Sequence, residues 1–281
     1  MNSAISAFQP MTKPALQRAL STTALGRAIH VLDETSSTNS IAADLAQQGA
    51  PHGAVVIAEA QSVGRGRLGR PWHSPHGKNL YCSILLRPTQ LPDHAASFLS
   101  LIPLLSAAAV ARAIQVMAAL RPSLKWPNDV LIVHRKIAGL LCESSGVGTP
   151  NACVIVGIGL NINERADEFP IDLRDQVTSM AIEAGRPFDR TAVLAALLSE
   201  LEIRYELLVS GKPADVIDEY RMRCATIGQQ VRIALGGDEV IDGLAHSIAA
   251  DGSLRILRDR QTEGSRENFV DIRAGDVVHV R

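Results

Sequence analysis

The chain has 281 residues, room for one substantial core and a smaller second unit. Hydrophobic residues make up 46% and charged ones 20%, the proportions of a globular protein rather than a disordered one. With 28 Lys and Arg against 29 Asp and Glu the net charge is -1, so no global field gathers polyanions and any anionic ligand has to be met locally. Cys82, Cys142, Cys153 and Cys224 sit in apolar surroundings without metal spacing, and read as buried, reduced thiols of a cytoplasmic protein. The first residues show no apolar run of a secretory signal. The longest apolar run, Phe98 to Ala111, contains Pro103 and is shorter than the ~18 residues that suggest a membrane span, which leads us to expect a soluble chain.

In chain order, residues 1–27 read as a loose leader with a short helix around Pro14 to Ala28. A strand, a Thr/Ser turn and an amphipathic helix closed by Gly49 follow from Ala28. Gly53 to Gln61 and Asn79 to Pro88 are β-branched apolar strands, and the segment Gly64 to Trp72 links them. Ala95 to Leu120 has helical spacing, Ser123 to Val133 is a strand broken by Pro127, and Lys136–Ser145 and Ala152–Asn163 are further buried strands. Arg190 to Val209 and Ala214 to Cys224 are helical. Beyond Thr226 the texture becomes short strands separated by Gly-Gly-Asp, Asp-Gly and Ala-Gly-Asp turns, the pattern of a small β-barrel. The chain is therefore expected to be α+β, a mixed β-sheet with helices at 28–225 and a barrel at 226–281.

The linking segment, GRGRLGRPW, formally contains the spacing of a dinucleotide-binding turn. That reading needs the third glycine to open a helix and an acid ~20 residues on, and here Gly69 leads to Arg70, Pro71 and another strand. A kinase loop fails as well, for want of the H-R-D and D-F-G segments. What remains is a pliable backbone carrying Arg65, Arg67 and Arg70, guanidinium forks suited to phosphate or carboxylate, or else a solvated basic hairpin. Four other polar islands interrupt apolar strands: Thr35 to Asn39, Lys125 to Asp129, Lys136 with Gly139, and Gly157 to Asn163. Polar groups cost ~2–7 kcal/mol when buried without partners, so such islands converge on a ligand or on each other. Each has a plainer reading: a cap at Ser37-Thr38, a tight turn at Asn128-Asp129, a close strand crossing at Gly157 and Gly159. Lys136, at the mouth of an apolar strand, is the least ordinary and suggests an anion held inside.

Taken in order, TSSTN, AEAQSVGRGRLGRPW, LKWPNDV, KIAGLLCE and GIGLNIN resemble the biotin protein ligases, over roughly residues 28 to 281. The resemblance implies a class II synthetase-like catalytic fold followed by an SH3-like barrel. It implies activation of biotin by ATP to biotinyl-5′-AMP, with Mg2+ on the polyphosphate, and transfer to a lysine of the biotin carboxyl carrier domain of acetyl-CoA carboxylase or a related carboxylase. Lys136, Arg67, Arg70 and Asp129 would then be catalytic. Ser37, Thr38, Asn39, Gln61, Gly64, Arg65, Arg67, Lys136, Gly139 and Leu141 would hold biotin. Arg65, Arg67, Arg70, Trp72, Lys125, Asn128, Lys136 and Asn161 would hold ATP or the adenylate, the arginine loop acting as an electrostatic lid.

About 30 residues precede the pattern, too few for the helix-turn-helix that some family members carry, so the expectation is a monofunctional ligase without DNA or membrane partners, a monomer or weak homodimer. The nearest rival is a lipoate or octanoate ligase of the same superfamily. A rival of another class is an RNA-binding Arg-Gly module, for which stacking aromatics beyond Trp72 and Tyr81 are scarce. His73 and His76 form H-x-x-H without a third ligand and read as a solvated pair rather than a zinc site.

Overall fold

In the computed structural model, residues 9–88, 95–146, 149, 152–236, 239–258, 268–273 and 275–279 are described. The expected turns at Gly237-Asp238 and Ala274, and the first eight residues, lie outside them.

A seven-stranded sheet organises most of the chain. Its strands are β1 (Ile29–Thr35), β2 (Val55–Gln61), β3 (Leu80–Leu86), β4 (Ser123–Lys125), β5 (Asp129–Ile132), β6 (Arg135–Ser145) and β7 (Cys153–Leu160), in the order β1-β2-β3-β7-β6-β5-β4. β1 and β2 are parallel and need a crossover, which α2 (Thr38–Gln47) supplies; the other pairs are antiparallel. The chain is thus α+β with a mixed sheet, as the sequence reading anticipates. The segment around Pro127 is a hairpin rather than one interrupted strand: Lys125 pairs with Asp129 and Ser123 with Leu131 across a cis Trp126–Pro127 peptide.

One face of the sheet is covered by α3 (Ala95–Ala118), which packs on α5 (Arg190–Val209) and α6 (Pro213–Arg223). Alternation along β3 sends Cys82, Ile84 and Leu86 into this core, while Leu85 joins Ala42, Val56 and Ile155 under α2. The helix α3 corrects the length argument made from the apolar run. It continues through Pro103, and Phe98–Ala118 is long and apolar enough to cross a membrane. Two thirds of its most apolar stretch is instead buried within this protein, against the sheet and helices, the place of a core helix.

The expected loose leader is held from Gln9 onward. Within it α1 (Lys13–Ala19) ends well before Ala28, and Met11, Leu16 and Leu25 are buried. Met11 N–H donates to Glu59 Oε1 at 2.7 Å, while Arg190 meets Glu59 Oε2 at 2.6 Å and the Gln9 carbonyl at 2.9 Å. Thr23, Ala24 and Leu25 donate their N–H groups to the Glu202 carboxylate at 2.7, 2.7 and 2.9 Å. Burial works against that charge, yet these donors hold the Glu202 carboxyl below its ordinary range.

After α4 (Met180–Ala184), α5 and α6, a second sheet of β8 (Gln230–Gly236), β9 (Glu239–Ile248), β10 (Leu254–Leu257), β11 (Phe269–Ile272) and β12 (Asp276–His279) runs in the order β11-β10-β9-β8-β12, antiparallel throughout. Trp126 joins the two sheets. Its backbone N–H donates to Thr226 Oγ1 at 3.0 Å, and its indole N–H donates to the Gly252 carbonyl at 3.1 Å.

Candidate active site

The sheet face not covered by α3 is half roofed by α2. Beside α2, over β6 and β7, the inward positions are glycines: Gly139 pairs with Gly159, and Leu141 with Gly157. A cavity of about 550 Å³ lies here. The missing side chains are what make the space. A Cβ on Gly159 would strike the Trp72 indole, and one on Gly157 would strike the Asn39 amide.

The segment Gly64–Trp72 folds as a miniature hairpin across this space. Trp72 N–H donates to Gly64 O at 2.9 Å, Gly66 N–H to Arg70 O at 2.7 Å, and the tip is one 3-10 turn at Arg67–Gly69 with Leu68 left-handed (φ 56°). Arg65 reaches Ser40 Oγ on α2 at 3.2 Å, and Arg67 reaches Asn128 Oδ1 on the β4–β5 turn at 3.4 Å. The two guanidiniums therefore tie the strap to opposite walls. Asn128 is itself fixed, donating to the Leu140 carbonyl at 2.7 Å.

Beneath the strap, Trp72 lies on the Gly139–Gly159 floor with the Lys136 ammonium 5.2 Å from its ring centroid. Lys136 Nζ is 2.6 Å from Asp129 Oδ1, a close ion pair. Asn161 is held by donation to the Thr178 carbonyl at 3.0 Å. At the α2 end, Thr38 N–H donates to Gln61 Oε1 at 2.9 Å and Gln61 Nε2 donates to Ser74 Oγ at 3.1 Å. Ser37 occupies the N-cap of α2 but caps no N–H with its side chain, so the cap reading of that serine does not account for it.

Fifteen of the sixteen site residues read from the sequence line the cavity: Ser37, Thr38, Asn39, Gln61, Arg65, Arg67, Arg70, Trp72, Lys125, Asn128, Asp129, Lys136, Gly139, Leu141 and Asn161. The sixteenth, Gly64, stands behind the strap; a Cβ there would meet Trp72 O and Ser74 Oγ at 2.5 and 2.7 Å, so its role is to let the strap close on itself.

The structure also brings in residues that the sequence reading passed over. His134, Phe169, Leu173 and Gln176 line the far wall. His73 is not a solvated partner of His76: its Nε2 is 2.8 Å from Glu164 Oε1, a carboxylate with no exposed surface, whereas His76 meets Asp33 at the surface. Burial pushes the Glu164 carboxyl up, with a hydrogen bond from Asn79 and the charge of His73 pulling the other way. Ser83 and Glu143 stand behind Thr38 and Asn39; their signal was a lone serine in an apolar strand, and an acid two residues after Leu141 on the same strand face. Among the described residues no group of three His, Cys, Asp or Glu is placed to hold a metal ion. All four cysteines are free; Cys82 and Cys153 are buried as expected, while Cys142 and Cys224 are only partly so.

Residues 31–161 match the Biotin/lipoate A/B protein ligase family. The biotin–[acetyl-CoA-carboxylase] ligase of Mycobacterium tuberculosis is 35% identical over 259 residues, which cover 91% of this chain and 90% of that protein. The chain belongs to the biotin/lipoate A/B protein ligase family. Among longer relatives, the bifunctional ligase/repressor BirA of Bacillus spizizenii is 36% identical over 195 residues, 69% of this chain, and the match spans 59% of that protein. Of solved members, the biotin protein ligase of Aquifex aeolicus in complex with biotin and ATP superposes with a TM-score of 0.74 at 28% identity, over 91% of this chain and 99% of that one.

Proposed function

We propose that this chain is a biotin–protein ligase. A biotin carboxylate oxygen attacks the α-phosphorus of ATP and pyrophosphate leaves; then the amine of one lysine on a biotin carboxyl carrier domain attacks the acyl carbon, AMP leaves, and the amide loses its proton. The observation that carries this reading is the glycine-floored cavity in which Lys136 faces a strap bearing Arg65, Arg67 and Arg70. The reaction needs such an arrangement. Two unit negative charges at 4 Å and an effective dielectric near 20 repel by ~4 kcal/mol, before any positioning. Cations fixed where the two anions meet offset that repulsion without reorganising during the reaction.

In this reading Ser37, Thr38, Asn39 and Gln61 take the polar ring of biotin and Leu141 its tail. The carboxylate lies toward Lys136 and Arg67. Trp72, Lys125, Asn128 and Asn161 take the nucleotide, with Arg65 and Arg70 above its phosphates. Asp129 is engaged by Lys136; a Mg2+ would enter on the polyphosphate and would neutralise part of its charge. The strap, tied to both walls through Ser40 and Asn128, keeps water from the mixed anhydride. We take 28–225 as the catalytic unit and 226–281 as an SH3-like barrel, in a cytoplasmic protein that is a monomer or weak homodimer.

Incubation with ATP, labelled biotin and a carrier domain tests the proposal. Label on one carrier lysine, dependent on ATP, is expected; a carrier that stays unlabelled while the chain binds neither biotin nor ATP refutes it.

A further inference from the structure

The basic residues of this chain are mostly arginines: among 28 Lys and Arg, the lysines are Lys13, Lys78, Lys125, Lys136 and Lys212. The distinction matters in a site that makes a mixed anhydride. A guanidinium stays protonated and offers no lone pair, whereas a lysine that loses its proton is a nucleophile. Lys13 opens α1 and Lys212 precedes α6, both exposed, and Lys78 Nζ is 2.7 Å from Glu168 Oε1. Lys125 and Lys136 line the cavity, as do Arg65, Arg67 and Arg70 of the strap. Neighbouring cations favour the neutral amine, and a neighbouring carboxylate favours the ammonium.

Among the described residues two carboxylates line the same cavity, Asp129 and Asp175. Asp129 is placed for both lysines. It stands opposite Lys125 in the antiparallel pairing of β4 with β5, so the two side chains leave the same face of the sheet with Cβ atoms about 5 Å apart. Its Oδ1 is 2.6 Å from Lys136 Nζ. We infer that Asp129 is a positioning residue that keeps both cavity amines as ammonium ions, and so keeps the enzyme from acylating itself. The inference rests on the biotin reading above. Without that carboxylate, a neutral amine on the cavity wall attacks the acyl carbon of the adenylate, AMP leaves, and the new amide nitrogen loses its proton. The product is a chain biotinylated on its own Lys125 or Lys136. The strap meets the same need by another route, since its guanidiniums bring charge to the reacting anions without bringing a competing acceptor.

The test is mass spectrometry of the chain after incubation with biotin and ATP and no carrier domain. The reading is biotin on Lys125 and Lys136 per pyrophosphate released, so that slower adenylation in a variant is divided out. Both lysines of the unaltered chain are expected to stay nearly bare. In Asp129→Asn their labelling is expected to rise at least about tenfold, while Lys13 and Lys212, which report adenylate that has escaped, stay as they were. Asp129→Glu, which keeps the carboxylate, holds the labelling down. A merely structural aspartate would not direct label to these two amines. Arg65→Lys carries the test if Asp129→Asn does not fold: it puts a third amine on the wall at Ser40, opposite Asp129, and label is expected at position 65 while Lys125 and Lys136 stay bare. The inference is overturned by Asp129→Asn labelled no more than the unaltered chain, by a rise that Lys13 and Lys212 share, or, in the second arm, by a bare position 65. A chain that releases no pyrophosphate from ATP and biotin refutes the ligase reading itself, a distinct outcome.

Discussion

Replacing Lys136 with methionine keeps the length of the side chain and removes its charge. Two consequences add. The cation between the reacting anions is lost, and Asp129, whose Oδ1 stands 2.6 Å from the ammonium, is left facing the cavity without its counterion. The first is worth ~4 kcal/mol for unit charges at 4 Å and an effective dielectric near 20. At ~1.36 kcal/mol per decade, that is about a thousandfold in the adenylation rate. The second adds repulsion against both incoming anions, and it is separable: Lys136→Met combined with Asp129→Asn recovers part of the loss, whereas Asp129→Asn alone has a smaller effect. Single-turnover pyrophosphate release with saturating biotin and ATP is the assay. Side-chain exposures of 31% and 21% place the pair at the cavity wall and not in the core, so the thermal unfolding of the variant is expected to stay close to that of the unaltered chain. Undiminished pyrophosphate release by the single variant removes Lys136 from the chemistry, and a double variant as slow as the single one removes Asp129 from the explanation.

Arg67→Gly cuts the strap's tie to Asn128 and takes one cation from over the cavity, so adenylate escapes and biotinylates bystander lysines; a variant that labels only the carrier counts against retention by this side chain. Glu202→Gln removes the charge that gathers three backbone N–H groups, and unfolding in denaturant at pH 7 is expected to come easier by about 1–3 kcal/mol. The Glu202 carboxyl is held below its ordinary value in the fold, so its contribution is present above the unfolded carboxyl range near 4.5 and is lost as pH falls through the folded value. The gap between variant and unaltered chain thus closes on acidification, and a gap that widens contradicts the sign. Burial pushes the thiols of Cys82 and Cys142 up to about 12, Arg67 pulling the latter back in part, so neither is expected to alkylate at pH 8 before unfolding. Rapid labelling of either in the native chain would show that its surroundings are wetter than described.

Much of the site was legible because each of its parts is a local chemical anomaly: arginines spaced by glycines, a lysine opening an apolar strand, an Asn-Asp pair after proline. Such residue types disagree with the strands around them, and the disagreement shows in a window of a few residues. The strand and helix periods were legible for the same reason, since amphipathic repeats of two and 3.6 are properties of adjacent positions. The leader was misjudged because its apolar residues are few and its anchors, Glu59, Arg190 and Glu202, lie far along the chain. The Ser123 to Val133 segment was misjudged because periodicity does not distinguish a hairpin from an interrupted strand.

The sequence by itself determined which chemical groups are present, in what order, and on which kind of element each sits. Only the tertiary structure decided which of them meet. Asn39 and Glu143 are 104 residues apart, and Thr38 and Ser83 are 45 apart, yet hydrogen bonds join both pairs. Those contacts follow from strand order and register: β3 lies between β2 and β7, and Gly157 stands opposite Ser83 on one side and Leu141 on the other. Register is fixed by burying one whole face of a sheet at once, a collective result that no single stretch of residues encodes.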